Sequence, residues 1–405
     1  MTSQDRTAVG VLATVFLFNL LGRGSGDTYA VFIRPLEQEF GWARSQLTSV
    51  YSMYLLVGAF IAPFAGTLFD RFGPRVTYTA GLTCLSAAFF LASSLGNLWQ
   101  FYLFIGVMIG VGVGLVGMVP ASALLTRWFR ARLSTAIGIA FSATGTGVLV
   151  LVPLSQWLIG QIGWRTAYQV LAGVLLLAVP YAAFGVPWRR YVAGLQDSIS
   201  GQRARAAGEG WTVRAALRTR TFWSLVQVFF FTATGMFVVL VQAVVYFIDL
   251  GFSPITAATA FGIVGMLSVV SVSTSGLAAE RFGYRVTVSV SFAGTALGVA
   301  LLAVMTAWPS ALMLALFVGV FGLCMGVRGP IVSSIATRSF PGPKVATIYG
   351  LIYSANAVGA AFGSLMGGVL HDLTGGYRAG FALSLAAVAM AVAPFWTVKE
   401  LRNFR

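Results

Sequence analysis

Charged side chains inside long apolar stretches are the residues of this sequence best placed to do chemistry. Arg328 lies in the second half of one such stretch, and Arg23 and Asp27 lie inside another. An ionised side chain at the centre of a bilayer costs about 2.5–3.5 kcal/mol on insertion scales. A guanidinium can hold a carboxylate through two parallel hydrogen bonds. Arg328 is therefore the principal candidate for binding an anion, and the alternative is a packing arginine neutralised by helix carbonyls or by Asp27.

Asn19, Arg23 and Asp27 are spaced four residues apart, which places all three on one face of a helix. Arg23 and Asp27 can neutralise each other as a purely structural pair. The functional alternative is a switch, in which Asp27 takes up a proton when a substrate anion competes for the arginine. Asn19 and Arg23 join Arg328 as candidate ligands, and Asp27 is the candidate for proton coupling.

Tyr353 and Asn356 are three residues apart in a later apolar stretch, so they share a helix face and complete the predicted pocket. The two cysteines, Cys84 and Cys324, lie far apart in apolar runs and predict neither a disulfide nor a metal site. No nucleotide motif or metal-ligand cluster is evident. The sequence predicts no cofactor and no enzymatic activity.

The elements that must position these residues are membrane-spanning helices. Of the 405 residues, 58% are hydrophobic and 9% are charged, against about 25% charged in a typical soluble protein. Apolar runs of about 18 or more residues indicate bilayer spans. We predict an all-α membrane protein with twelve spans, at 8–33, 46–69, 76–94, 98–126, 133–159, 165–187, 221–249, 254–279, 286–307, 310–338, 345–371 and 377–397. The first is expected to be a retained helix rather than a cleaved signal peptide.

The net charge of +15 reflects topology rather than nucleic-acid binding. Most of the 26 basic residues lie in alternate gaps between spans, and the opposite gaps hold only Arg34, Arg44, Arg165 and Arg378. By the positive-inside rule, both termini are cytoplasmic. The longest gap predicts a cytoplasmic linker at 188–220 between an N-terminal six-helix half, 1–187, and a C-terminal six-helix half, 221–405. Its arginines either contact anionic lipid headgroups or are simply solvated.

Internal similarity at an offset near 210 residues supports this division. GTLFDRFGPRVT at 66–77 matches GLAAERFGYRVT at 276–287, LSTAIGIAFSATGTG at 133–147 matches VATIYGLIYSANAVG at 345–359, and GWRTAY at 163–168 matches GYRAGF at 376–381. The order of the three matches predicts a tandem duplication of a six-span unit. Two such halves can rock about a central site and expose it to each side in turn.

The loop after the second span resembles the loop signature of the major facilitator superfamily, and a second copy follows the eighth span. The matching residues are Gly66, Asp70, Arg71, Gly73 and Arg75, then Gly276, Glu280, Arg281, Gly283 and Arg285. The resemblance covers essentially the whole chain and implies the major facilitator fold. It also implies a cytoplasmic gate formed by Asp70, Arg71, Arg75, Glu280, Arg281 and Arg285. A topology signal combined with helix caps is the alternative interpretation of these charges.

Within that superfamily, FGWARSQLTSVYS at 40–52 is similar to the monocarboxylate and oxalate/formate transporter branch. The residues after the fourth span also fit its pattern, namely Trp128, Phe129, Arg130, Arg132, Gly138 and Gly145. Members of that branch often carry an arginine in the eighth span, whereas no charge precedes Glu280 in that span here. The anion-binding arginine is therefore expected in another span.

The resemblance implies a monomeric secondary transporter of a small carboxylate in the lipid of a bacterial inner membrane. The coupling partner is expected to be a proton or a counter-anion, by symport or exchange. Drug efflux by the same superfamily is the alternative, but drug exporters usually rely on acidic residues in the cavity. The predicted cavity here contains two arginines and one aspartate, and this excess of positive charge favours an anionic substrate. The sequence does not determine whether the substrate is a monocarboxylate or a dicarboxylate, in which direction it is transported, or which ion is coupled to it.

Overall fold

The computed structural model describes residues 3–129, 133–193, 211–340 and 345–402, and every regular element within them is helical. Helices satisfy all their backbone hydrogen bonds internally, as a bilayer requires. The helices are α1 (Ser3–Asp27), α2 (Tyr29–Phe40), α3 (Arg44–Ala92), α4 (Leu98–Phe101), α5 (Gly110–Val116), α6 (Met118–Trp128), α7 (Leu133–Pro180), α8 (Trp188–Ala193), α9 (Val213–Leu217), α10 (Arg220–Leu240), α11 (Ala243–Asp249), α12 (Pro254–Phe282), α13 (Tyr284–Met305), α14 (Ala311–Met325), α15 (Arg328–Ser339), α16 (Val345–Thr374), α17 (Arg378–Val392), α18 (Pro394–Thr397) and α19 (Lys399–Arg402). Tyr102–Ile109 and Tyr181–Gly185 are π-helical.

The described part of the chain has eleven helices that are long and apolar enough to cross a membrane. The prediction of a multi-pass membrane protein is thereby confirmed. One of the eleven, Gly138–Gly185, is 48 residues long and contains Gly163 in a non-helical conformation, with φ 78°. The first candidate span, Arg6–Phe40, consists of α1 and α2 and ends beyond the predicted boundary at 33, because α2 continues past the apolar run to Gly41, which has positive φ.

The chain forms two compact units. The first contains Met1–Trp42, Val50–Ser200 and Pro254–Gly262, and the second contains Ala43–Ser49, Gly201–Ser253 and Ile263–Arg405. In the first unit α1 packs mainly on α7, and in the second α10 packs mainly on α16. Most of the predicted linker, from 194 to 210, lies outside the described residues. The domain boundaries therefore remain a prediction.

The duplication is visible in the backbone. Among the described residues, six glycines have positive φ, and they form three pairs about 210 residues apart: Gly41 with Gly251, Gly73 with Gly283, and Gly163 with Gly375. At Gly73 and Gly283 a side chain would meet no neighbouring atom, so the conformation rather than crowding requires glycine. Each half therefore uses the same turn geometry between corresponding helices.

Small residues allow the principal helix pairs to approach closely. A Cβ on Gly24 of α1 would lie 2.8 Å from Cα of Gly147 on α7. In the second unit, Gly359 and Gly363 of α16 lie against the backbone of Phe230 and Thr234 on α10. Close approach at small residues is the usual way in which membrane helices pack.

Candidate functional site

Arg328 is the first residue of α15, directly after the interruption that separates α15 from α14. Its side chain is 1% exposed, and its guanidinium carbon lies 4.7 Å from the centre of the Phe292 ring on α13. Nη2 donates a hydrogen bond to the carbonyl of Met325 at 3.4 Å. Within the described residues, Nε and Nη1 have no hydrogen-bond partner. A buried cation with unused donors is costly, and an anionic ligand would offset that cost.

The contacts of Arg328 in the second unit are with an aromatic ring and a backbone carbonyl. Ser291, next to Phe292 on α13, is 2% exposed and donates its hydroxyl hydrogen bond to the carbonyl of Cys324 at 2.5 Å. Among the described residues, the carbonyl of Met325 accepts the hydrogen bond from Arg328. In the first unit, Asp27 accepts a hydrogen bond from Tyr51 and pairs with Arg23.

Asp27, at the end of α1, is engaged at both carboxylate oxygens. The hydroxyl of Tyr51 donates to Oδ1 at 2.9 Å, and Nε of Arg23 lies 3.5 Å from Oδ2. The Arg23 guanidinium carbon also lies 5.7 Å from the centre of the Tyr54 ring. Arg23 and Asp27 are 32% and 13% exposed, so the predicted pair exists and its arginine is the more accessible member.

The remaining predicted ligands differ in their surroundings. Asn19 is 2% exposed, and one N–H of its amide donates to the carbonyl of Val15 at 2.9 Å within its own helix. Tyr353 is 47% exposed and packs edge-on to Phe229, with ring centres 5.5 Å apart. Asn356 follows it on α16 and is partly buried. Tyr353 is accessible for binding, whereas Asn19 stabilises α1 locally.

The arginines of the two repeated loops lie over aromatic rings. Arg75 lies 5.1 Å from the centre of the Phe184 ring, and Arg285 lies 3.6 Å from that of Trp396. Both aromatic residues follow the last long helix of their half, so the contact is repeated in each unit. Arg71 and Arg281 each lie over the phenylalanine that follows them. The side chains of the predicted gate residues Asp70 and Glu280 lie outside the described residues.

Removing the ring under Arg285 should destabilise the second unit. We expect Trp396→Ala to lower the free energy of unfolding by about 1 kcal/mol, because a cation–π contact of this kind is worth that much at a partly exposed site. Thermal unfolding of the purified protein measures the change. Trp396→Phe should retain most of the stability, and Trp308→Ala is the control for loss of an exposed tryptophan (72% exposed). If Trp396→Ala and Trp396→Phe lowered the free energy of unfolding equally, the stabilising role of the aromatic ring under Arg285 would be contradicted.

The family model described as Major Facilitator Superfamily matches residues 12–277 and 273–403. The chain belongs to this superfamily. The match confirms the predicted family and indicates a transporter rather than an enzyme.

Two relatives of this major facilitator carry more specific names. Monocarboxylate transporter 13 of Bos taurus is 26% identical over 374 residues, covering 92% of this chain and 85% of the relative. Monocarboxylate transporter 3 of Rattus norvegicus is 28% identical over 391 residues, covering 95% of this chain and 79% of the relative. These similarities confirm the predicted resemblance to the monocarboxylate branch.

The crystal structure of a D-xylose–proton symporter superposes with a TM-score of 0.72 at 17% identity, covering 96% of this chain and 97% of that one. The E. coli xylose transporter XylE, in a partially occluded inward-open conformation, also gives a TM-score of 0.72 at 14% identity. At these identities the comparison supports the major facilitator fold alone.

The transporter also contains a polar cluster that sequence reasoning missed. Arg44, at the start of α3, is 3% exposed, and its Nη1 donates to the hydroxyl of Tyr377 at 2.9 Å. That hydroxyl donates to Oδ2 of Asp249 at 2.5 Å. The carboxylate of Asp372 accepts hydrogen bonds from the backbone N–H groups of Arg44 and Ser45 and so caps α3.

The first unit contains a related cluster. Trp164, the repeat partner of Tyr377, donates to Oε2 of Glu39 at 2.5 Å, and Arg165 donates to Oε1 of Glu39 at 2.6 Å. Arg44 and Arg165 were among the few basic residues assigned to the less basic side of the membrane. That exception to the charge pattern was the signal that could have identified both clusters.

Proposed function

We propose that this protein is a secondary active transporter of a small organic anion, of the monocarboxylate type, working by alternating access. The observation that carries the proposal is Arg328, a fully buried guanidinium with two donor atoms unused. A carboxylate would accept hydrogen bonds from those donors and neutralise the charge. The names of the monocarboxylate transporters similar to this chain support the same substrate class.

The proposal assigns the protein to a bacterial inner membrane as a monomer, with twelve spans and both termini cytoplasmic. The distribution of basic residues in the sequence supports this orientation. The charged residues of the two repeated loops, Asp70, Arg71, Arg75, Glu280, Arg281 and Arg285, would form the cytoplasmic gate. The proposed substrate-binding residues are Arg328, Arg23, Asn19, Tyr353 and Asn356.

Thermal stabilisation of the purified protein tests the substrate class, because a ligand that binds the folded state raises its melting temperature. The panel should contain monocarboxylates, dicarboxylates, aromatic acids and lipophilic cations at equal concentrations. A shift with one class of carboxylate supports the proposal. A shift with lipophilic cations alone would instead support drug efflux and remove the anion-carrier proposal.

Proton coupling would reside in Asp27. When the substrate competes for Arg23, Asp27 loses a cationic partner and its protonated form becomes favoured. We therefore expect Asp27→Asn in proteoliposomes to abolish carboxylate accumulation driven by a proton gradient, while exchange of labelled for unlabelled substrate continues. An Asp27→Asn carrier that still accumulates substrate with the gradient would overturn this assignment. Loss of exchange as well would assign Asp27 to binding rather than to coupling.

A further inference from the structure

Two tyrosines one turn apart on α3 contact the charged pair of α1 in different ways. Tyr51 donates its hydroxyl hydrogen bond to Asp27 and is 6% exposed. Tyr54 is 2% exposed, places its ring beside the Arg23 guanidinium, and has a hydroxyl with no hydrogen-bond partner within the described residues. Their ring centres are 5.1 Å apart. The chain therefore offers two similarly buried phenols of which only one bonds the carboxylate.

Where α5 and α7 approach this part of α1 most closely, the described neighbours are apolar side chains and backbone. Gly147 and Leu151 of α7 lie against Gly24, and Val116 of α5 lies against Gly22. Within the described residues, Arg23, Tyr51 and Tyr54 place charged or titratable groups near Asp27, and the Tyr29 ring stacks on that of Tyr51 with ring centres 5.1 Å apart. The direct partners of the Asp27 carboxylate are one cation and one hydroxyl donor, with a second phenol nearby.

We infer that Tyr51 is a positioning residue that sets the pH at which Asp27 takes up its proton. The inference rests on the proposed proton-coupled function and adds to it a residue outside the predicted pocket. Arg23 is the accessible partner that a substrate anion can draw away, whereas Tyr51 is buried and stays in place. Once Arg23 is engaged by substrate, the Tyr51 hydroxyl is the remaining donor that stabilises ionised Asp27.

A phenol suits this role because its hydroxyl both donates and accepts. It donates to ionised Asp27, and after protonation it can rotate to accept a hydrogen bond from the carboxyl O–H. The carboxyl group is thus held in one position in both states. A bond to the ionised form delays protonation as the pH falls, so its loss moves protonation to higher pH.

The test compares Tyr51→Phe with the matched control Tyr54→Phe. Each variant removes one buried hydroxyl from the same helix and keeps the ring. Infrared titration of the protonated carboxyl band of the purified protein, with Asp27→Asn as the blank, gives the midpoint for Asp27 without substrate. The pH dependence of carboxylate uptake into proteoliposomes gives the midpoint during transport.

We expect Tyr51→Phe to raise both midpoints by about one pH unit, since one unit corresponds to the weaker end of a charge-assisted hydrogen bond. In Tyr54→Phe, both midpoints should equal those of the wild type within experimental error. Unchanged midpoints in Tyr51→Phe, or equal shifts in the two variants, would overturn the inference alone. Absence of carboxylate uptake by the wild-type protein would overturn the proposed function, and a wild-type uptake independent of pH would overturn the inference together with the coupling role of Asp27.

Discussion

Arg328→Met is expected to abolish carboxylate binding while leaving the empty protein as stable as before or more stable. The buried guanidinium has one long hydrogen bond and two unused donors, so its charge is poorly compensated without ligand. Replacing a buried charge by an apolar side chain of similar volume is often neutral or stabilising. Loss of a two-point guanidinium–carboxylate contact should cost about 3 kcal/mol of binding, or roughly 150-fold in affinity.

The measurement is the carboxylate-induced rise in melting temperature, compared with the melting temperature without ligand. Arg338→Ala is the matched control, because Arg338 lies in the last turn of the same helix, is exposed, and carries the same charge. It should retain the ligand-induced shift. A different result would make Arg328 a packing residue. In that case the melting temperature of Arg328→Met without ligand would fall by several degrees, and carboxylate would still raise it as in the wild type.

Arg44→Ala should destabilise the folded protein more than either Trp396→Ala or Arg328→Met. Arg44 is buried, donates to Tyr377 and lies 3.9 Å from Asp249, so its removal takes a cation away from the Asp249 carboxylate. Removing one partner of a buried ion pair typically costs about 3–5 kcal/mol. Because Asp249 is partly exposed and keeps its bond from Tyr377, we expect about 3 kcal/mol.

Thermal unfolding measures the overall loss of stability in Arg44→Ala, and hydrogen exchange shows which part of the chain is destabilised. The backbone amides of Arg44 and Ser45, which donate to Asp372, should exchange faster in Arg44→Ala because the first turn of α3 is less firmly held. Arg378→Ala is the control, since Arg378 adjoins Tyr377 in sequence but is exposed. A comparable loss in that variant would indicate an effect of net charge rather than of the Arg44 cluster.

The fold was largely predictable because its signals are local. Apolar runs mark membrane helices, and the repeated loop carries its glycine, Gly73 or Gly283, at the position where positive φ is required. The burial of Arg328 was also predictable, since its span is otherwise apolar. These inferences need only the neighbouring sequence and the matching segment of the other half.

Contacts between distant helices could not be predicted. Nothing in the linear pattern indicates that Phe292 lies under Arg328, or that Tyr51 rather than Tyr54 bonds Asp27. Both contacts depend on the rotation of each helix about its axis. The sequence does not determine that rotation, because aromatic residues lie on several faces of these helices. Asn19 is a similar case, because its position on the helix face does not reveal that its amide nitrogen donates to the carbonyl of Val15.

The paired positive-φ glycines have a consequence for the evolution of the chain. Gly73 and Gly283 hold a backbone conformation that is essentially restricted to glycine, and other residues adopt it at a cost of about 1–3 kcal/mol. The residues that follow them, Pro74 and Tyr284, differ between the two copies. Divergence of the duplicated halves is therefore free at the neighbouring side chains but restricted at these two turns.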